Sequence, residues 1–140
     1  MKQIAVLLVT VVSLLPEVAT ACTVDDPCDP TSSSRYGEPV KLSPGNLRGR
    51  LIHCELPTLP STLDAQGTVV LRVLVSPKGN VECTKVIYGL DLLDEAAIVA
   101  VKKWRFRPLI VNGKAVAVLG SVAVLVSWDA DRMRKHCKTE

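Results

Sequence analysis

The chain has 140 residues, and the stretch that opens it reads as a targeting segment, so there is room for one small domain and none for a second catalytic one. Hydrophobic residues make up 48% and aromatics only 4%, so the core must be built from Val, Leu, Ala and Ile. A net charge of +3, from 17 Lys+Arg and 14 Asp+Glu, comes with no basic run interleaved with aromatics, which excludes charge-driven binding of nucleic acid.

Residues 1–21 carry the parts of a secretory signal peptide. Lys2 gives a positive start, Ile4 to Leu15 is apolar except for Thr10 and Ser13, and Ala19-Thr20-Ala21 is the small-x-small pattern of a cleavage site. A retained anchor would need about 20 apolar residues, and Pro16 and Glu17 interrupt the run early. Cys22, directly after the cleavage point, also allows lipid modification. Each of these readings places the domain outside the cytoplasm, periplasmic or secreted after cleavage and membrane-anchored otherwise.

Five cysteines, at 22, 28, 54, 83 and 137, suit an oxidising compartment, and the odd number leaves one over. Their spacing does not choose the pairing. We expect Cys22 with Cys28 as a local loop and Cys54 with Cys83, all four structural. His53-Cys54 and His136-Cys137 are adjacent pairs that lack chelating spacing, and no Cys-x-x-Cys occurs, so neither a metal, a cofactor nor a redox dithiol is expected. No Gly-x-Ser-x-Gly or similar context sets a nucleophile beside a base, so the chain is not expected to be an enzyme.

Residues 22–50 are rich in Asp, Pro, Ser and Gly and are expected to be a flexible tether. Leu56-Pro57-Thr58-Leu59-Pro60 then leads into a short helix, Ser61 to Gln66, capped by Ser61. Gly67 to Ser76 alternates as a strand, with Val69, Leu71, Val73 and Val75 on one face. Pro77-Lys78-Gly79-Asn80 supplies a turn and Val81 to Tyr88 the return strand. Asp91 can cap a helix whose Leu93, Ala97, Ala100, Val101 and Trp104 form an apolar stripe, with Asp94 and Glu95 early and Lys102 and Lys103 late. Pro108 ends it. Trp104 and Phe106 are expected in the core, with Arg105 and Arg107 facing solvent. Asn112-Gly113 turns into a long strand from Ala115 to Trp128, and residues 130–140 form a basic tail.

Five blocks then point to a family. Gly67-Thr68-Val69-Val70-Leu71-Arg72-Val73, Lys78-Gly79-Asn80-Val81, Leu92-Leu93-Asp94-Glu95-Ala96-Ala97, Lys103-Trp104-Arg105-Phe106-Arg107-Pro108 and Asn112-Gly113-Lys114 closely resemble, in order, the C-terminal domain of TonB-type energy transducers. The resemblance implies an α+β domain over residues 51–129, a three-stranded antiparallel sheet with one main helix and one short N-terminal helix packed on it. It also implies a non-catalytic, periplasmic binding module for TonB-dependent transport. Its last strand, Leu119 to Ser127, would be a sheet edge that pairs with an extended segment, the TonB box, of an outer-membrane receptor or another envelope protein. Strand addition of this kind takes its affinity from unpaired backbone groups. The contacting residues would be Leu119, Ser121, Val122, Ala123, Val124, Leu125 and Val126. Leu59-Pro60 stands where the family has a Tyr-Pro that shapes the binding surface near the domain start. The other reading is a small secreted, disulfide-stapled structural protein that forms a homodimer through the same edge.

Overall fold

Nine residues of alternating pattern in each of two distant segments, 67–75 and 118–126, produce the central ladder of the molecule. A computed structural model describes residues 36–138, and the expectations for residues 1–21, Cys22 and Cys28 fall outside that range. In chain order the elements are β1 (Val40–Lys41), α1 (Pro44–Arg48), β2 (Leu51–His53), β3 (Gly67–Val75), β4 (Val81–Tyr88) and α2 (Asp91–Lys102). They continue with β5 (Arg105–Phe106), β6 (Leu109–Val111), β7 (Lys114–Val116), β8 (Val118–Val126) and α3 (Ala130–Cys137).

β3 and β8 pair antiparallel along their whole length, from Gly67 opposite Val126 to Val75 opposite Val118. Because side chains alternate, Val69, Leu71, Val73 and Val75 share one face with Val118, Val122, Val124 and Val126, and all eight are buried. The apolar stripe of α2, namely Leu93, Ala97 and Val101, packs into the same cluster. Each such side chain contributes roughly 1.5–3 kcal/mol on full burial. α2 begins at Asp91 itself, and Leu90 takes the N-cap position without a side-chain bond, so Asp91 does not cap it as expected. Asp91 and Asp94 in its first turn and Lys102 in its last still suit the helix dipole. β4 pairs with the other side of β3.

Trp104 is 5% exposed, and its indole N–H donates to the Glu55 carbonyl at 2.9 Å, so the ring both fills the core and fastens the segment before β3. Phe106, also buried, donates its backbone N–H to the Gly79 carbonyl at 2.9 Å. Gly79 has φ +89°, and a Cβ there would lie 2.0 Å from the Phe106 carbonyl oxygen. The β3–β4 turn therefore needs glycine both for its dihedral and for its contact. Arg105 and Arg107 are exposed, as the alternation predicts.

Five further expectations need correction. The sheet has four strands in the order β1-β8-β3-β4, because β1 adds in parallel to the start of β8. Residues 40–48, expected within the tether, form β1 and α1, where Ser43 accepts from the Asn46 N–H and Leu47 is 1% exposed. Low apolar content hid a single well-placed leucine. Residues 61–66 hold only a turn, with the Leu63 N–H donating to the Pro60 carbonyl, since one capped turn cannot offset the cost of helix nucleation. The expected basic tail forms α3, capped by Asp129 and anchored by buried Met133. The strand expected over 115–128 is also divided, into β7, which pairs with β6 across the Asn112-Gly113 turn, and β8.

Trp104→Ala should lower stability by about 3–5 kcal/mol in urea unfolding, through the cavity and the unsatisfied Glu55 carbonyl. Gly79→Ala should also destabilise the domain, with no effect on the exposed β4 face.

Candidate partner-binding edge

The backbone of β8 has a direction as well as a register. The Ala117 and Leu119 carbonyls accept from the Val40 and Leu42 N–H groups of the β1 segment, at 2.9 and 3.0 Å. Strand groups alternate in direction, so the odd-numbered residues 117, 119, 121, 123 and 125 turn their N–H and C=O away from β3, and the even-numbered residues turn theirs toward it. Of the expected contact residues, Leu119, Ser121, Ala123 and Leu125 thus present backbone groups outward. Val122, Val124 and Val126 are buried toward the core and spend their backbone groups on β3. Period 2 was available in the sequence, but which parity faced out depended on where the last loop ended.

This edge is not open along its length, as the resemblance implied. β1 covers Val118 and Leu119. α1 packs on the core face of β8 at Gly120, where a Cβ would come within 2.7 Å of Leu47 Cδ2. α3 folds back beside the next stretch, and His136 Nε2 sits 3.1 Å from the Ala123 carbonyl oxygen and 3.3 Å from Arg48 Nη1. With its proton on Nε2 the neutral ring donates to Ala123; with the proton on Nδ1, Nε2 accepts from Arg48. Either tautomer ties α3 down, to the edge or to α1. Beneath the helix lies a cavity of about 150 Å³, lined in part by Ser121, Ala123, Trp104, Phe106 and His136.

A disulfide holds the far end of α3. Cys54, just after β2, is bonded to Cys137, the last residue of the helix, across 83 residues of sequence and a Cα–Cα distance of 5.8 Å. The expected Cys54–Cys83 pair is therefore incorrect. Cys83 lies on β4, on the far side of β3 from β8, whereas β2 pairs with β5 near the β8 edge, where α3 delivers Cys137. Cys83 is itself disulfide-bonded. Sequence separation gave no hint of the 54–137 pair, because α3 read as an unstructured tail.

Leu59 and Pro60 lie elsewhere, in a groove of about 590 Å³ between the segment before β3 and the outer face of α2, with Leu92, Glu95 and Val99 opposite. They do not join the β8 edge. Among the described residues no group of three or more His, Cys, Asp or Glu could hold a metal, and no helix is long and apolar enough to cross a membrane.

An antiparallel ladder with one main helix laid on it defines a small α+β domain. Residues 56–129 match the family model of the Gram-negative bacterial TonB protein C-terminal, and the chain belongs to that family. It is 42% identical over 77 residues to Protein TonB of Neisseria meningitidis serogroup C, which is 51% of this chain and 28% of that protein. To Protein TonB of Vibrio cholerae it is 26% identical over 95 residues, 65% of this chain and 39% of the relative. The chain thus spans well under half the length of these curated relatives. β1, α1, β2, α3 and both cysteines of the 54–137 bond lie outside the matched residues.

Proteolysis without reductant should yield a linked peptide pair containing Cys54 and Cys137. Removing the bond in Cys54→Ser/Cys137→Ser should lower stability by about 2–4 kcal/mol in urea, since the closed loop constrains the unfolded chain.

Proposed function

We propose that this chain is a periplasmic, non-enzymatic protein-binding module of TonB-dependent energy transduction or transport. Its partner is an outer-membrane TonB-dependent receptor, or another envelope protein, that supplies a short extended segment. That segment adds as a strand to the outward groups of β8 beyond β1, at Ser121, Ala123 and Leu125. The observation that carries the reading is the parity of β8: a nine-residue strand at the rim of the sheet has one side committed to β3, and its other side ends its regular strand pairing at Leu119. Main-chain bonds to Ser121, Ala123 and Leu125 would give affinity with little demand on the partner's side chains. The side chains of Val122, Val124 and Val126 support the strand from below. Leu59 and Pro60 act as a second, separate contact for a folded part of the partner, in the groove beside α2.

The test is titration of the full chain with synthetic peptides that copy the N-terminal segments of outer-membrane receptors. Ser121→Pro removes one outward N–H and leaves the ladder to β3 intact, so it should abolish binding and keep the melting curve nearly unchanged. Val122→Pro removes a donor from the ladder and should unfold the domain. Binding undiminished in Ser121→Pro would overturn the reading, and a mass that doubles with concentration while no peptide binds would favour the homodimer.

A further inference from the structure

The covering of the β8 edge and the disulfide beside it form one device. α3 reaches the edge from Asp129, whose carboxylate accepts from the Asp131 and Arg132 N–H groups, and buries Met133 on the way. It contacts the edge through His136 on the Ala123 carbonyl and is fastened one residue later by Cys137 to Cys54. An eight-residue helix is too short to be stable alone, so its place depends on Met133, His136 and that bond. The bond is within reach of solvent. Both cysteines are only half-buried, and they line an open groove of about 580 Å³ with Leu51, Ile52, Arg134 and Lys138. Arg134 also pairs with Asp131 at 2.6 Å, and Lys138 is the second cation lining this groove. Cations beside a disulfide favour the approach of an attacking thiolate and the departure of the thiolate it displaces.

We propose that Cys54–Cys137 is a thiol–disulfide exchange site for an envelope dithiol reductant, and that its opening releases α3 from the β8 edge so that a partner strand can bind. In the exchange a thiolate of the reductant attacks the Cys137 sulfur, the S–S bond breaks, and the Cys54 sulfur leaves with the electron pair and takes a proton from water. The second thiol of the reductant, deprotonated, attacks the mixed disulfide, and Cys137 leaves and is protonated. Two electrons and two protons pass to the cysteines, and the dithiol becomes a disulfide. The clasp rests on the strand-addition reading for its purpose but not for its existence. Its parts lie outside residues 56–129, which match the family model.

The experiment measures amide hydrogen exchange on the full chain in three forms: oxidised, treated with dithiothreitol, and as oxidised Cys54→Ser/Cys137→Ser, in which the bond at Cys83 is retained. Alkylation should find Cys54 and Cys137 modified together under mild dithiothreitol. In both opened forms exchange at the α3 amides Met133 to Cys137 should rise by about tenfold or more beyond any rise at Val122 and Val124, which are bonded to β3. α3 amides that remain protected in both opened forms would overturn the proposal. So would an equal rise of both sets, which would make the bond a staple of the whole domain. Receptor-segment peptides separate the two readings. A freed α3 without peptide binding would sink strand addition and leave the clasp standing, and equal affinity for the oxidised and opened forms would sink the clasp and leave strand addition.

Discussion

The structure depends on the pairing of β3 with β8. Two segments more than forty residues apart meet in an unbroken nine-residue register, and that register puts eight Val and Leu side chains on one face. A slip of one residue would turn every one of them to the opposite side and take away the surface on which α2 lies. With so few aromatics, no other contact in the chain could replace that loss. Trp104 and Phe106 matter because they bind the periphery to this ladder. One holds the Glu55 segment and the other closes on Gly79, so the turn at one end and the approach to β3 are both tied to the short strand β5.

The same ladder creates the edge. A long strand whose outer neighbour is a two-residue strand must leave part of one line of N–H and C=O groups outward, and natural sheets cover such lines or use them. Here two elements share the task. A two-residue parallel strand takes the first pairs, and the C-terminal helix stands over the middle with a histidine beside a carbonyl. Neither is a full strand, so neither makes the continuous bonding that would commit the whole edge. The helix is held by a covalent bond to the chain before β3 and adds no ladder pairing to β8.

What was legible in the sequence follows from physical range. The β3–β4 hairpin, α2, the burial of Trp104 and Phe106 and the Asn112-Gly113 turn are written in local patterns, namely period 2, an apolar stripe at helical spacing and turn residues at fixed offsets. The family resemblance rests on those same blocks. The pieces that cover the edge were not legible, because each is short and polar and is fixed by a few contacts at long range. Pro44–Arg48 holds on through Leu47, and Ala130–Cys137 through Met133, His136 and Cys137. By composition alone such segments read as tether and tail. The pairing of Cys54 failed for the same reason: without α3 in place, Cys83 was the nearer cysteine in sequence, while in space β3 separates it from the edge.

These long-range contacts also explain why the candidate site divides by parity. The expected list took consecutive residues, but a strand at a rim offers a partner only every second backbone unit and gives the alternate side chains to the core. Val122, Val124 and Val126 are therefore tied to the core and to β3, while Ser121, Ala123 and Leu125 turn their backbone groups outward. Substitutions in the first group act through stability, and on the strand-addition reading those in the second act through recognition. The His136 imidazole, which can hold either Ala123 or Arg48 but never both through one nitrogen, connects the cover of the edge to α1 as well as to β8. The tautomer therefore decides whether α3 is tied to α1 through Arg48 or to β8 through Ala123.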